Sequence, residues 1–295
     1  MKKVNIAMAV HNVENFIIMT LKAIQSQTYE DFDCIIVDDH STDNTVQIIY
    51  EMFCKNDDRF KLYVNCTDKN NPYIDVHNVS YSLCDSEYII RLDGDDVPKR
   101  NLIEKYVEFM DRHPEYDACC STVIPMWSNT FTGQLEDPGQ APEVSPAMKR
   151  GWFDVFPDDK ETDKFNKNPI EYHVFHPMCW CNQCSCIRRD FLLKHNLKFK
   201  YCSYGDYLFW VEFFAEGGKA YKMKDKLLIY RICLTSISHN GTWKKVSPRF
   251  ELDLAKAKHK IVKNRNNPAD RPQLIVFENT IRYFENLVKK EEAQK

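Results

Sequence analysis

The stretch Ser86-Glu-Tyr-Ile-Ile-Arg-Leu-Asp-Gly-Asp-Asp-Val-Pro98 decides how the whole chain reads. Its mostly apolar segment, Tyr88–Leu92, has the length and composition of a buried strand, and it runs directly into Asp93, Asp95 and Asp96. Three acids in four positions exceed what capping a helix requires. Carboxylates crowded at one strand end repel one another unless a cation or donor groups offset the charge. Oxygen ligands suit hard divalent ions such as Mg²⁺ or Mn²⁺, which in turn bind phosphate. The cluster therefore predicts a metal-bridged diphosphate ligand.

Working outward, strand and helix patterns alternate through residues 1–125. Val4–Val10 is an apolar run, followed by a helix with Ile17, Leu21 and Ile24 on one face. Phe32–Val37 is a second buried run, and it ends in another acidic pair, Asp38-Asp39. Ser41 stands where a helix N-cap would, ahead of Val46, Ile49 and Phe53, and Asp43 suits a capping role. Phe60–Val64 reads as a third strand. A helix carrying Val79 and Leu83 comes next, then strand Tyr88–Leu92, helix Leu102–Met110 and a strand near Ala118–Ile124. Strands buried on both faces and separated by helices predict an α/β fold with a mainly parallel, doubly wound sheet. In such sheets ligands bind at the carboxyl ends of the strands, where both acidic pairs fall.

Residues 126–240 behave differently. The span 126–175 is rich in proline (Pro138, Pro142, Pro146, Pro157, Pro169) and acids and has no sustained period, so it reads as a long loop over the sheet. Strand and helix resume over Cys179–Leu193, a helix follows at Tyr207–Ala215 and a strand at Lys226–Arg231. Residues 241–295 read as a helical extension. Its stripe of Leu274, Phe277, Ile281, Phe284 and Val288 packs on the domain or forms a homodimer contact.

Composition limits the function classes. A net charge of −3 gives no global attraction to nucleic acid or anionic membrane. No stretch approaches the roughly 20 apolar residues of a membrane span. The opening Met-Lys-Lys leads into a run too short for a signal-peptide core, so a cytoplasmic protein with reduced thiols is expected despite 12 cysteines. The dinucleotide fingerprint GxGxxG and the P-loop are both absent from the sequence. A sugar nucleotidyltransferase would need a Gly-rich loop where His11-Asn-Val-Glu-Asn15 stands.

The segment from Ala7 to Thr45, AMAVHNVENFIIMTLKAIQSQTYEDFDCIIVDDHSTDNT, resembles the opening of family-2 glycosyltransferases, which have a Rossmann-like GT-A fold, and SEYIIRLDGDDVP resembles their aspartate motif. The likeness is close over residues 3 to about 125 and looser to about 240. It implies a metal-dependent inverting transferase, a hexosyl- or pentosyltransferase, acting on a nucleotide-sugar, typically a UDP-sugar. By the same resemblance Asp39 hydrogen-bonds the base, Asp38 shapes that pocket, and Ala9 and Asn12 belong to the first nucleotide-binding loop. Asp93 lies near the ribose, Asp95 coordinates Mn²⁺ or Mg²⁺, and Asp96 joins the metal or braces the loop. The general base of the family comes from a Glu-Asp pair opening a helix; here Gly205 replaces the Glu and Asp206 stands at the base position.

Four departures from the family pattern matter. Ala9-Val10-His11-Asn12 lacks the usual proline. His40 replaces the Gly of the Val-Asp-Asp-Gly-Ser motif. His77 occupies the place of an Arg that reaches the diphosphate, which a histidine does only when protonated or donating. Cys233 stands where a His is frequent in Tyr230–His239, leaving that position or His239 to complete the metal site. Separately, the His173–Cys186 segment pairs two Cys-x-Cys motifs with two histidines, which fits either zinc or a strand carrying small buried residues. Trp152 and Trp180 could stack on a sugar or acceptor. The acceptor is unspecified: a glycan, a lipid-linked glycan, a protein, or a modified nucleic-acid base met through Lys149-Arg150 or Lys244-Lys245. The rival from another class is a sugar-nucleotide-binding module without catalysis, favoured if Asp206 stood far from the acidic cluster.

Overall fold

The computed structural model describes residues 2–66, 72–128, 134–136, 159–170, 184–200, 205–232 and 247–293. The amino-terminal half is built from β1 (Val4–Val10), α1 (Ile17–Gln25), β2 (Phe32–Asp38), α2 (Thr45–Ile49), β3 (Phe60–Val64), α3 (Pro72–Leu83), β4 (Tyr88–Arg91), β5 (Val97–Pro98) and α4 (Leu102–Arg112). A π-helical turn, Tyr50–Cys54, extends α2. The rest comprises β6 (Ala118–Ser128), β7 (Leu135–Glu136), α5 (Asp159–Lys167), β8 (Ser185–Arg188), α6 (Arg189–His195), α7 (Gly205–Ala215), β9 (Ala220–Ile232), α8 (Pro248–Asn264) and α9 (Arg271–Glu292).

These strands form one sheet in the order β3-β2-β1-β4-β8-β6-β9-β5, with β7 paired to β6. Strands β3, β2, β1 and β4 are mutually parallel, which brings the carboxyl ends of β2 and β4 to either side of β1. Strand β8 enters antiparallel between β4 and β6, and β6 pairs parallel with β9. The α/β architecture expected from the sequence holds, and β8 marks where its parallel half ends.

Alternation along the strands separates two apolar layers, because successive side chains point to opposite faces. Ile6, Met8, Ile36 and Ile90 pack with Ile17, Leu21 and Ile24 of α1 and with Leu102, Ile103, Tyr106 and Met110 of α4. Ala7, Ile35, Ile89 and Ile187 face the other way, onto Phe209, Trp210 and Phe213 of α7. Helix α7 is buried almost all round, as a helix between a sheet and further helices must be. Gln27 ties α1 to α4: its Nε2 donates to the Lys99 carbonyl at 2.8 Å and its Oε1 accepts from the Ile103 amide at 3.1 Å.

Two expectations change. The span 126–175 contains structure of its own: β6 runs on to Ser128 and α5 packs on β9, with Phe165 fully buried and Asn166 Nδ2 donating to the Lys222 carbonyl at 2.8 Å. Ser41 does not cap α2; the residue before the helix is Asn44, and the Ser41 hydroxyl points into the neighbouring loop. The stripe on α9 lies half-buried against α8. The side-chain contacts Arg249–Glu292, Lys256–Glu285 and His259–Glu278 fall in numbers on α9 as they rise on α8, so the two helices are antiparallel. Exposed pairs of this kind contribute little, so the apolar stripe holds the hairpin. Among the described residues no helix is long and apolar enough to cross a membrane.

Candidate functional site

The loops after β1 and β2 are laced into one unit. The Asn12 amide donates to Ser41 Oγ at 2.9 Å, and Asn12 Oδ1 accepts from the Thr42 amide at 2.7 Å. The Val13 amide donates to Thr45 Oγ1 at 2.8 Å, and the Glu14 amide to Asp43 Oδ2 at 3.1 Å. Asp43 Oδ1 also accepts from the Thr45 amide at 3.0 Å at the start of α2, from one position before the N-cap residue Asn44. Asn12 can hold its place because its φ is +52°, a left-handed conformation that asparagine tolerates better than most residues. His40 sits at φ +59°, which explains why glycine is at home there in the family motif.

The acidic pair after β2 is fixed from both neighbouring strands. The Asp39 amide donates to the Val10 carbonyl at 2.8 Å, and the Asn65 amide to the Asp38 carbonyl at 2.8 Å. Asn65 Nδ2 donates to Asp39 Oδ1 at 2.9 Å, so one oxygen of that carboxylate is held and oriented. Asp38 Oδ2 accepts from the Ser41 amide at 3.0 Å, while its Oδ1 is buried without a partner. His11 Nδ1 donates to the Asp39 carbonyl at 2.7 Å, which leaves Nε2 to accept from Asn12 Nδ2 at 3.3 Å. Ala9 lies on β1 opposite Val37, beside this pair.

Gly94 decides how the second acidic loop sits. A Cβ there would stand 2.7 Å from Val10 Cγ1, so only glycine lets the loop press against the end of β1. The loop is then pinned from β9. Asp96 Oδ1 accepts from the Arg231 amide at 2.9 Å, Arg231 Nε donates to the Asp95 carbonyl at 2.5 Å, and Nη1 donates to Ser128 Oγ at 2.7 Å. Burial, and then the charge of Asp93, pushes Asp95 up to about 6. Burial followed by the charges of Asp95 and Asp93 holds Asp96 well above the usual carboxylate range. Asp96 is 1% exposed and its Oδ2 is buried without a partner. Asp96 thus makes a bracing contact, one of the two roles expected of it. Asp95 is half-buried, and the Asp93 side chain keeps 33% of its surface exposed.

Among the described residues no three His, Cys, Asp or Glu side chains form a ready-made metal cage. Mg²⁺ and Mn²⁺ sites of nucleotide enzymes need no such cage, since one or two carboxylates suffice when phosphate oxygens and water supply the rest. Asp95, with its raised affinity for a counter-charge, fits that pattern. His239 lies outside the described residues, as do Trp152, Trp180, Lys149-Arg150, Lys244-Lys245 and most of the His173–Cys186 segment. The two cysteines of that segment that are described, Cys184 and Cys186, are buried at and next to β8 in the core.

His77 lies beside Arg91 and Phe199. Burial, reinforced by the charge of Arg91, lowers its pKa to about 3, and its ring lies 5.1 Å from that of Phe199. The cation at this place is Arg91, which the sequence reading passed over. Its Nη2 donates to Asp93 Oδ1 at 3.1 Å. Burial alone would lower its pKa, but the charges of Asp93 and Asp206 carry it above the ordinary value. Asp206 itself lies in the first turn of α7, with Oδ1 accepting from the Tyr207 amide at 2.8 Å. Arg231 and Asn65 were passed over as well. Arg231 stood in view as a charge inside a strand pattern, which ought to be buried only with partners.

The profile of Glycosyl transferase family 2 matches residues 5–189. Among curated proteins, the chain is 35% identical to EpsE of Bacillus subtilis (strain 168) over 114 residues, 39% of this chain and 40% of that protein. It is 26% identical over 241 residues, 81% of each chain, to the UDP-Glc:alpha-D-GlcNAc-diphosphoundecaprenol beta-1,3-glucosyltransferase WfaP of Escherichia coli. The match thus spans well under two thirds of EpsE and most of WfaP. Among solved structures, S. aureus TarS 1-349 in complex with UDP-GlcNAc superposes with a TM-score of 0.63 at 17% identity, over 96% of this chain and 72% of that one. The mannosyltransferase PcManGT from Pyrobaculum calidifontis, in complex with GDP-Man and Mn²⁺, gives a TM-score of 0.54 at 13% identity, over 100% and 76%. At those identities the superpositions establish the fold. The family profile covers more than half of the sequence, and the chain belongs to glycosyl transferase family 2.

Proposed function

We propose that the chain transfers a hexose from a UDP-sugar to a carbohydrate hydroxyl with inversion at the anomeric carbon. The observation that carries this reading is that Arg91 bonds Asp93 and also feels the charge of Asp206. This supports placing the acidic loop of the donor half and the carboxylate at the head of α7 in one site, which a binding module without catalysis would not need. Asp39, oriented by Asn65 and with one oxygen remaining, suits the single N–H donor of uracil. WfaP, named for UDP-Glc and for a lipid-linked saccharide acceptor, supports both the donor class and the acceptor class.

In the proposed step the acceptor hydroxyl gives its proton to Asp206 as its oxygen bonds to the anomeric carbon. The bond from that carbon to the β-phosphate oxygen breaks, and the electron pair leaves with UDP. Asp95 would hold Mg²⁺ or Mn²⁺, which when bound neutralises charge on the diphosphate. Asp96 and Arg231 keep the Asp95 backbone in place, and Asp39 with Asp38 orients the base. Calorimetric titration of UDP with and without Mn²⁺ tests the donor half, and metal-independent or absent binding would refute it. Release of UDP from UDP-glucose or UDP-GlcNAc, lost in Asp206→Asn with UDP binding intact, tests the reacting end.

A further inference from the structure

The guanidinium of Arg91 is packed against two separate parts of the site. On the donor side its Nη2 lies 3.1 and 3.4 Å from the two Asp93 oxygens, with the side chain only 12% exposed. On the other side its Cζ sits 5.7 Å from the centre of the Phe199 ring. Phe199 is not a loose platform. The side chain of Asn78 on α3 grips its backbone at both ends, with Nδ2 donating to the Phe199 carbonyl at 2.9 Å and Oδ1 accepting from its amide at 3.0 Å. The Phe199 ring is stacked on Phe209 with centroids 4.5 Å apart and planes 7° from parallel. Phe209 is one turn into α7, the helix that Asp206 opens. An unbroken chain of contacts thus runs from Asp93 through Arg91, Phe199 and Phe209 to the helix of Asp206.

The other buried arginine, Arg231, serves the Asp95–Asp96 backbone and Ser128. His77, which shares the Phe199 ring, is neutral. We propose that Arg91 is a positioning residue that keeps the carboxylates of Asp93 and Asp206 in register across the two halves of the site. It acts through those carboxylates: its planar fork can meet two of them at once, and its positive charge holds them in place while an anionic donor arrives. This inference rests on the assignment of Asp206 as the base.

The test uses the full chain with Mn²⁺, UDP-glucose and UDP-GlcNAc, following released UDP in parallel with UDP affinity by calorimetry. Arg91→Ala is expected to bind UDP within about threefold of the wild type. It should lose about 100-fold in turnover, the scale on which a small misplacement of reacting groups acts. Guanidinium chloride at tens of millimolar should recover part of that loss, since the free cation can occupy the vacated place; mere loss of packing would not respond. Turnover equal to the wild type overturns the inference, and so does a loss confined to UDP affinity. Where Arg91→Ala melts below the assay temperature, Arg91→Lys decides. Its point charge reaches one carboxylate at a time, so a loss of about tenfold or more is expected, and wild-type turnover refutes the role. A wild-type chain that releases no UDP fails the proposed function itself and takes this inference with it. An active wild type matched by an equally active Arg91→Ala fails the inference alone.

Discussion

Asp96 and Arg231, 135 residues apart, hold each other's surroundings in place: Asp96 Oδ1 accepts from the Arg231 amide at 2.9 Å, and Arg231 Nε returns to the carbonyl of Asp95 at 2.5 Å. The pairing divides two adjacent carboxylates into different roles. Asp96→Asn keeps an acceptor for the Arg231 amide at nearly the same shape and removes only the acidic group. It is expected to leave Mn²⁺-dependent UDP affinity within about threefold, while Asp95→Asn weakens it by about 100-fold or more, as loss of a charged ligand would. Paired titrations check this. Equal losses in the two variants would mean that both side chains hold the ion.

Asn65 and Asp39 make the second prediction. The amide of Asn65 fixes one oxygen of Asp39 at 2.9 Å and leaves the base only the other. Asp39→Asn puts a donor where the uracil N–H needs an acceptor, and a charge-assisted hydrogen bond is worth about 1.5–3 kcal/mol. UDP affinity should therefore fall by roughly 10- to 150-fold. Asn65→Ala should cost less, since it loosens the carboxylate without removing it. An Asn65→Ala loss larger than that of Asp39→Asn would move the base contact to Asn65.

Much of the donor half was legible because buried parallel strands are written as continuous apolar runs, and each run that mattered ended in acids. Phe32–Val37 before Asp38 and Tyr88–Leu92 before Asp93 give both the sheet and its candidate ligand edge. Strand β8 was harder. Ser185–Arg188 has a strand's composition, but nothing local says that it runs antiparallel between β4 and β6, since pairing direction is set by the long chain between them. Arg91 was hidden for a different reason. A lone charge near the end of a strand reads as the edge of burial, and only Phe199, 108 positions on, reveals what it lies against. At His77 the sequence is silent on what lowers its pKa, first burial and then the charge of Arg91, because both come from the fold around it.

Gly94 gives a prediction about stability. Its position against Val10 leaves 2.7 Å for a Cβ, and valine's short branched side chain cannot swing away. Gly94→Ala should cost about 1–3 kcal/mol through overpacking, visible as a lower midpoint in urea with an unchanged slope. The companion change Val10→Ala, combined with Gly94→Ala, should recover part of that loss, because the clash partner is gone. Additive losses in the double variant would show that the glycine is needed for something other than this contact.

His77 makes stability depend on pH. Its folded pKa is lowered to about 3 by burial and by the neighbouring Arg91 charge, against 6.5 for the free side chain. The unfolded chain therefore takes up a proton at His77 as pH falls below 6.5, while the folded chain does not until about pH 3. Linkage then removes stability with acidification across that window, by up to about 1.4 kcal/mol per pH unit from this one group. Above pH 6.5 the contribution is complete and flat. His77→Gln cannot titrate, so its stability should decline less steeply than the wild type's between pH 6 and 4, with the two curves parallel above pH 7. Urea melts across that range measure the difference. Parallel curves throughout would mean that His77 is protonated in the folded protein after all, and the neutral ring beside Arg91 would have to be abandoned.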